Sequence, residues 1–437
     1  MTPAQQAIEQ DPRVKVTRLP SGLRIVSENM DHLATVAVGI WIRCGSRDER
    51  DDEHGLAHLI EHMTFKGTKT RSARQIVEEI ENVGGDLNAE TTAESTSYFA
   101  RVLKEDLPLA FDIIADLVAN PLFDAQDLQR EKEVVLQEIA GIEDNPEELV
   151  FDLFMQQAFP DHAIGRPILG AAESLKTFTP AHLHAFVKRH YHPAQIVVAA
   201  AGAVEHEALV QLAEKALAHL EQNSQAAPLF PPIYQGGNLR EKRRLEQVHL
   251  VMGAKGVSFH DTQHEALHVL AQILGGGMSS RLFQELREKR GLCYDINAFF
   301  TPFSDTGIFG VYGGTGTDQL DDFMRVLLDE WQAVETTLEE SEIIRAKAQI
   351  KVGMLVASES PGRRADQIAR QMLALDQIPS RETLARRIEA VDRKALIQAL
   401  KTLKASPPTF VILGPQGRLL DKSQLKARFS PDFATKL

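Results

Sequence analysis

The order of hydrophobic and polar residues along the chain predicts a series of strands and helices. Residues 14–28 read VKVTRLPSGLRIVSE, two alternating runs around Pro-Ser-Gly that indicate a β-hairpin. The apolar run at 35–43 predicts a buried strand, and the helical period at 73–85 ends in two glycines, as helices often do. The segment 86–103 predicts a pair of strands. Further patterns predict helices near 105–119, 125–143, 148–158, 180 onward and 205–220, with a strand at 195–203.

The second half of the chain repeats this order of elements. The patterns predict a strand at 249–257, helices at 262–274 and 279–291, a strand pair at 294–314, helices near 317–335 and 339–357, and a strand at 408–414. At an offset of 210 residues, His54 and His58 fall on His264 and His268. We therefore predict an α+β fold of two tandem homologous domains, each a largely antiparallel sheet with helices packed on it.

A linker is predicted at 221–239, where three prolines and two glycines occur without a sustained period. It would separate an N-terminal domain at 1–220 from a C-terminal domain at 240–437. The remaining composition is that of an ordinary globular protein, with 43% hydrophobic and 25% charged residues among 437. This length suits two or three domains.

Charge, cysteine content and hydropathy exclude several classes of function. A net charge of −13 disfavours nucleic-acid binding, which needs basic patches. Two distant cysteines, Cys44 and Cys293, cannot form a disulfide framework. No apolar run approaches the roughly 18–20 residues of a membrane span. The N-terminus has neither a signal-peptide nor a transit pattern and retains an initiator Met, so we expect a cytoplasmic protein.

The string HLIEH at 58–62 is the first candidate for chemistry. At about 100° per residue, His58, Glu61 and His62 fall on one face of a helix. Two imidazoles one turn apart can bind one zinc ion, and the glutamate beside them can act as a base toward water. The same five-residue pattern also arises by chance on helices, and a catalytic zinc needs a third protein ligand.

The string HEALH at 264–268 is a rival site, with Glu265 as the base. A thermolysin-like arrangement would take its third ligand from Glu288, 20 residues beyond His268. The rival lacks the HxxGxxH continuation, because positions 271 and 274 are Ala and Leu. In the repeat, Ala271 and Gln272 correspond to Glu61 and His62, and 345–355 contains no acid. This favours HEALH as a degenerate copy of HLIEH.

The segment HGLAHLIEHMTFKGT at 54–68 resembles the active-site helix of the M16 metallopeptidases, which include mitochondrial processing peptidase, pitrilysin and insulin-degrading enzyme. The resemblance implies a zinc endopeptidase in which Glu61 activates the water. It also implies Glu138, 76 residues after His62, as the third zinc ligand beside His58 and His62. Glu131, two helical turns before Glu138, would support the site by orienting a ligand. Taken alone, each of these two glutamates is typical of a solvent-exposed acid on a helix.

Two other segments carry the resemblance. LNAETTAESTSYFARV at 87–102 is similar to the edge strand of the family, on which a stretched peptide adds as a further strand, and Asn88 and Ala89 align with substrate contacts. LGGGMSSRLFQELREKRGLCYDI at 274–296 is similar to the non-catalytic domain, whose arginine and tyrosine match Arg287 and Tyr294. The resemblance implies that these two donors complete the site and bind substrate. Without it, both are ordinary surface residues.

The length of the chain matches one half of a pitrilysin-type clamshell. We therefore expect a homodimer that cleaves unfolded peptides or flexible segments, with Arg287 and Tyr294 of one chain serving the zinc of the other. A heterodimer with a related chain, as in processing peptidases, stays open. The alternative class is a non-catalytic scaffold like the core proteins of respiratory complexes, which typically lack motif residues present here.

Overall fold

The computed structural model describes residues 9–221, 230–415 and 422–429. The strands are β1 (Val14–Arg18), β2 (Arg24–Asn29), β3 (Thr35–Ile42), β4 (Asp86–Thr91), β5 (Thr96–Leu103), β6 (Ile196–Gly202), β7 (Gly237–Lys242), β8 (Val248–Gly256), β9 (Cys293–Pro302), β10 (Gly307–Thr315) and β11 (Thr409–Gly414). The helices are α1 (Leu56–Thr64), α2 (Ala73–Glu81), α3 (Leu107–Ala119), α4 (Ala125–Asp144), α5 (Pro146–Ala158), α6 (Ala172–Thr177), α7 (Pro180–His190), α8 (His206–Leu217), α9 (His264–Gly275), α10 (Leu320–Thr337), α11 (Glu340–Ser358), α12 (Pro361–Leu375), α13 (Arg381–Glu389), α14 (Arg393–Lys404) and α15 (Lys422–Phe429).

The strands form two sheets of the same design. Their orders are β1-β2-β6-β3-β5-β4 and β7-β11-β8-β10-β9. In the first sheet β2 is parallel to β6, in the second β7 is parallel to β11, and every other neighbouring pair is antiparallel. Apart from β1, the strands correspond one to one in order and direction. The predicted α+β class with largely antiparallel sheets is therefore confirmed.

Each sheet is covered on one face by helices of its own half and on the other by a helix of the opposite half. Helix α12 places Ala365, Ile368 and Met372 against the first sheet, in a buried cluster with Trp41 and Val197. Helix α5 places Val150 and Phe154 against Val251, Val411 and Leu413 of the second sheet. Burial of these apolar faces binds the two halves into one packed body.

Three sequence expectations need correction or remain open. The segment predicted as a helix at 279–291 is a π-helix over Phe283–Glu288, with wider turns than an α-helix. Helices α12, α13 and α14 were not predicted. Of the predicted linker, 222–229 lies outside the described residues, and the division into 1–220 and 240–437 stays a prediction. Across the part of the chain described, no helix has the length and apolar composition needed to cross a bilayer.

Candidate metal centre

Helix α1 is held in the core by its apolar face and carries His58, Glu61 and His62 on its polar face. Its other face, which includes Leu59, Ile60 and Met63, is fully enclosed in the core of the first half. The helix starts after Gly55, whose φ of 93° favours glycine and whose Cα lies where a side chain would collide with Gly170. The carboxylate of Glu49 accepts hydrogen bonds from the first backbone N–H groups of the helix. These contacts fix where the polar face of α1 points.

The structure brings together the side chains of His58, His62 and Glu138. Glu138 Oε2 on α4 lies 3.7 Å from His58 Nε2 and 3.4 Å from His62 Nε2. One ligand atom from each residue lies within 4.8 Å of the other two. No other group of three or more His, Cys, Asp or Glu side chains in the described ranges has this geometry. The three side chains thus converge on one point from two packed helices.

The donor set fits a zinc ion. Burial, and then the neighbouring His62, lower the pKa of His58 to about 4, so its imidazole is neutral and can donate a lone pair at pH 7. The Nδ1 atom of His58 is buried and has no hydrogen-bond partner within the described part of the chain. Two imidazoles and one carboxylate are a ligand set of catalytic zinc sites, which keep a fourth position open.

Glu131 lies one layer behind the cluster. Its Oε2 atom is 3.2 Å from His62 Nδ1, and its Oε1 atom is 2.8 Å from Lys66 Nζ. A carboxylate in this place holds the imidazole in one orientation with Nε2 turned toward the cluster. Sequence reasoning missed Lys66. Its position four residues after His62, in the turn that follows α1, was the available signal.

Glu61 lies beside the cluster and lines the same cavity as His58. Thr91 at the end of β4 donates a hydrogen bond from Oγ1 to Glu61 Oε2 at 2.5 Å. Burial raises the pKa of Glu61 above its ordinary value, although the hydrogen bond from Thr91 opposes the shift. A carboxylate whose pKa lies above that of an exposed glutamate is a better proton acceptor.

A cavity of about 400 Å³ opens against His58 and Glu61. The sequence reasoning missed three acids in its wall: Glu90 on β4, and Glu148 and Asp152, which lie one turn apart on α5. Burial, and then the charges of Glu148 and Glu143, raise the pKa of Asp152 to about 6. The i,i+4 spacing of Glu148 and Asp152 was visible in the sequence, but only the packing of α5 against α4 places them in one cavity with His58.

Asn88 and Ala89 lie on β4, the edge strand of the first sheet. Ala89 is half-buried and lines the cavity beside His58 and Glu61. The side chain of Asn88 is exposed and accepts a hydrogen bond from the N–H of Ala89. One backbone edge of β4 pairs with β5, and the other has no strand beside it in the described structure. Their predicted role in substrate binding stays a prediction.

Arg287 and Tyr294 meet each other but not the cluster. The guanidinium of Arg287 stacks 4.8 Å from the ring centre of Tyr294, and 76% of Tyr294 is exposed. Among the described residues, no hydrogen bond, ion pair or ring contact joins either side chain to His58, His62 or Glu138. Within one chain, this pair is therefore not part of the centre.

The second half holds a copy of the centre that lacks two of its three metal donors, although His268 is retained at the position of His58. Gln272 occupies the place of His62 in the repeat, and its Nε2 atom donates to Gln349 Oε1 at 2.9 Å. Gln349 lies on α11 as Glu138 lies on α4. Glu265, the base of the rival hypothesis, lies 3.6 Å from Arg387, and the ring of His264 packs on Phe300. A pair of neutral amides has replaced the histidine–carboxylate contact.

A half-buried His₂Glu cluster with a further glutamate, Glu61, beside it in a twofold-repeated α+β fold defines a metallohydrolase-type centre. Comparison with known proteins then identifies the family. Residues 24–172 match the sequence model described as Insulinase (Peptidase family M16), and residues 177–350 match that of the Peptidase M16 inactive domain. The chain belongs to peptidase family M16.

Relatives in several bacteria span nearly the whole chain. A protein of Rickettsia felis named uncharacterized zinc protease is 36% identical over 401 residues, which are 92% of this chain and 97% of that protein. A Mycobacterium tuberculosis protein, also named uncharacterized zinc protease, is 38% identical over 95% of this chain and 96% of its own length. A third protein of that name, from Bacillus subtilis, is 33% identical over 91% of this chain and 98% of its own length.

Solved structures share the fold. A protease from Helicobacter pylori superposes with a TM-score of 0.86 over 92% of this chain and 100% of that chain, at 20% identity. A peptidase M16 inactive domain from Pseudomonas fluorescens also superposes with a TM-score of 0.86, over 93% of this chain and 100% of that chain, at 22% identity. The architecture is thus that of known M16 structures, in a chain of the same extent.

Proposed function

We propose that the protein is a zinc-dependent endopeptidase whose ligands are His58, His62 and Glu138 and whose general base is Glu61. The single observation that supports this proposal is the convergence of two imidazole nitrogens and one carboxylate oxygen within 4.8 Å. The zinc proteases named among its relatives agree with it. The scaffold alternative gains no support, because all four motif residues are present and packed together.

The chemistry that zinc supplies in such a set is polarisation of a carbonyl and a lowering of the pKa of water to about 7. Glu61 takes a proton from water as the water oxygen bonds to the peptide carbonyl carbon. Glu61 then passes that proton to the leaving nitrogen as the C–N bond breaks. One water is consumed, its second proton passes from the new carboxyl group to the amine, the products are a carboxylate and an ammonium group, and Glu61 returns to its starting state. Glu131 keeps the ring of His62 in place throughout.

The substrate we propose is an extended peptide segment paired with β4. The free backbone edge of β4 runs past Ala89 toward Glu61, and an added strand would form main-chain hydrogen bonds there. Glu148 and Asp152 line the adjacent cavity, so a Lys or Arg side chain next to the scissile bond would find two acidic partners. A folded domain cannot offer such an extended segment, which favours unfolded or flexible substrates.

The proposed assembly is a homodimer in which Arg287 and Tyr294 reach the centre of the other chain. The exposure of Tyr294, and the lack of any contact between this pair and the centre among the described residues of one chain, support this arrangement. Phenol and guanidinium donors there would stabilise negative charge on the carbonyl oxygen. A heterodimer with a related chain would use the same surfaces, so purification of this chain alone tests the choice.

The test of the enzyme compares the two candidate bases, Glu61 of HLIEH and Glu265 of HEALH. Glu61→Gln is expected to keep zinc, measured by elemental analysis, and to lose cleavage of an unfolded peptide by at least about 100-fold, since general base catalysis contributes 10²–10⁴-fold. Glu265→Gln, the corresponding change in the HEALH string, is expected to keep both. Loss of cleavage in Glu265→Gln with full activity in Glu61→Gln would overturn the assignment.

The test of the dimer mixes two inactive variants. Chains carrying Glu61→Gln and chains carrying Tyr294→Phe should regain activity when mixed, because one composite site then holds both intact residues. The control mixes Glu61→Gln chains with chains that carry both changes, and no activity should return. Absence of recovery in the first mixture, with chain exchange shown by mass-tagged protomers, would reject the shared site.

A further inference from the structure

Thr91 is the only described residue whose side chain donates a hydrogen bond to the side chain of Glu61. Its Oγ1 atom lies 2.5 Å from Glu61 Oε2, which leaves Oε1 without a hydrogen-bond donor among the described residues. The hydroxyl therefore holds one oxygen of the carboxylate and leaves the other one available. This is the geometry expected of a group that fixes the rotation of a base.

The backbone of Thr91 belongs to the edge strand. Thr91 is the last residue of β4 and pairs with Thr96 of β5. The preceding residue, Glu90, accepts a hydrogen bond from Arg370 on α12 at 2.5 Å, and the following turn is closed by hydrogen bonds between Thr92 and Ser95. The strand is thus anchored at its end on one edge, by β5 and α12, while its other edge has no partner strand in the described structure.

We propose that Thr91 is a positioning residue for Glu61, through which a peptide paired with the free edge of β4 fixes the orientation of the base. The inference rests on the proposed function, because it assigns to Glu61 the role given above. A peptide strand on β4 would immobilise the backbone that carries the Thr91 hydroxyl. That hydroxyl would then hold Glu61 Oε2 in a single place, and the free oxygen in the orientation that proton transfer requires.

The geometry also separates this role from simple burial of a polar group. If Thr91 only satisfied a buried carboxylate, its loss would weaken folding or zinc binding and would be indifferent to substrate length. A positioning role acts on kcat, leaves the binding of zinc and peptide unchanged, and requires a substrate long enough to pair with β4.

The experiment compares Thr91→Val, which keeps the shape and removes the donor, with Thr91→Ser, which keeps the donor. Each zinc-loaded protein is tested with an unfolded peptide of about ten residues or more and with a short peptide too small to pair along β4. For Thr91→Val we expect kcat on the long peptide to fall about 10–100-fold, with KM within about twofold. We expect Thr91→Ser to keep most of the wild-type kcat. The ratio of kcat on the long peptide to kcat on the short peptide should fall in Thr91→Val and stay near the wild-type value in Thr91→Ser.

Two further readouts do not depend on turnover. Zinc affinity is measured by chelator competition, and the dissociation constant of a long peptide is measured with a reduced amide at the scissile position. Both should match the wild type in Thr91→Val. The inference is overturned if Thr91→Val keeps its kcat, if Thr91→Ser loses as much, if the length ratio is unchanged, or if weaker zinc binding explains the loss. An inactive zinc-loaded wild type overturns the proposed function itself, and the inference with it.

Discussion

At the scale of single residues, the two halves differ in the partners of one histidine pair. His58 and His62 in the first half face Glu138, whereas the corresponding pair of positions in the second half is His268 and Gln272, which faces Gln349. Replacement of one imidazole and the carboxylate by two amides removes a nitrogen donor and the negative charge of a catalytic zinc site, and leaves His268 as the one remaining imidazole. The same helix then becomes a packing element.

Asp152 gives the centre a pH dependence that can be measured. Because burial and neighbouring acids raise its pKa to about 6, Asp152 is mostly neutral at pH 5 and mostly ionised at pH 7. We expect the preference for a peptide with Arg beside the scissile bond over the same peptide with norleucine to rise by about tenfold between these pH values, as a charged hydrogen bond forms.

The measurement is the ratio of kcat/KM for the two peptides at each pH. The titration of Glu61 changes both values by the same factor and therefore cancels in the ratio. In Asp152→Asn the ratio should be lower at pH 7 and nearly flat with pH. A wild-type ratio that does not change between pH 5 and 7, or a pH dependence that survives in Asp152→Asn, would remove Asp152 from the recognition of basic side chains.

At the scale of elements, the centre depends on three short segments held at fixed positions. Helix α1 is held at its N-terminus by Glu49 and by the close approach of Gly55 to Gly170. Helix α4 carries Glu131 and Glu138 seven residues apart on the face that meets α1. Strand β4 brings Thr91 to Glu61 from the sheet. Each element contributes one kind of contact, and none forms the site alone.

The π-helix at Phe283–Glu288 shows how an element departs from its sequence pattern. The periodicity of 279–291 is helical, but the wider turns of a π-helix change the direction in which Arg287 points. In the structure its guanidinium lies between the rings of Phe283 and Tyr294, 4.6 Å and 4.8 Å from their centres. These stacking contacts keep the arginine and the tyrosine together on the exposed edge of the second sheet.

At the scale of the whole molecule, exchanged helices and buried ion pairs join the two halves. Helices α5 and α12 each cover the sheet of the opposite half. Arg364 on α12 is 1% exposed and donates to Glu28 at 2.6 Å and to Asp11 at 2.8 Å, both in the first half. Removal of Arg364 breaks two buried ion pairs at once and leaves Glu28 with Arg381, and Asp11 with Arg13, as the remaining partners.

Arg364→Met is therefore expected to lower the free energy of unfolding by about 3–5 kcal/mol, measured by urea denaturation. The matched control is Arg363→Met, since the adjacent Arg363 is exposed and its replacement should cost less than about 0.5 kcal/mol. Equal stability of the two variants would show that the Arg364 cluster does not hold the halves together.

The local pattern of hydrophobic and polar residues predicted much of the fold. The strands β2, β3, β6 and β8 were visible as apolar or alternating runs, and the repeat in the order of elements predicted two similar sheets. Helices α12–α14 were missed, although α12 is one of the elements that join the halves. Its buried residues face a sheet more than 150 residues away in the chain, and periodicity alone does not tell which surface an apolar face will cover.

The sequence by itself determined the spacing of His58, Glu61 and His62 on one helical face, because helix geometry is local. With the family resemblance it also singled out Glu138. Only the tertiary structure decided that Thr91 bonds Glu61, that Lys66 holds Glu131, and that Asp152 borders the cavity. Such contacts join segments that are distant in the chain, and they follow from how the helices and the sheet pack rather than from any local pattern.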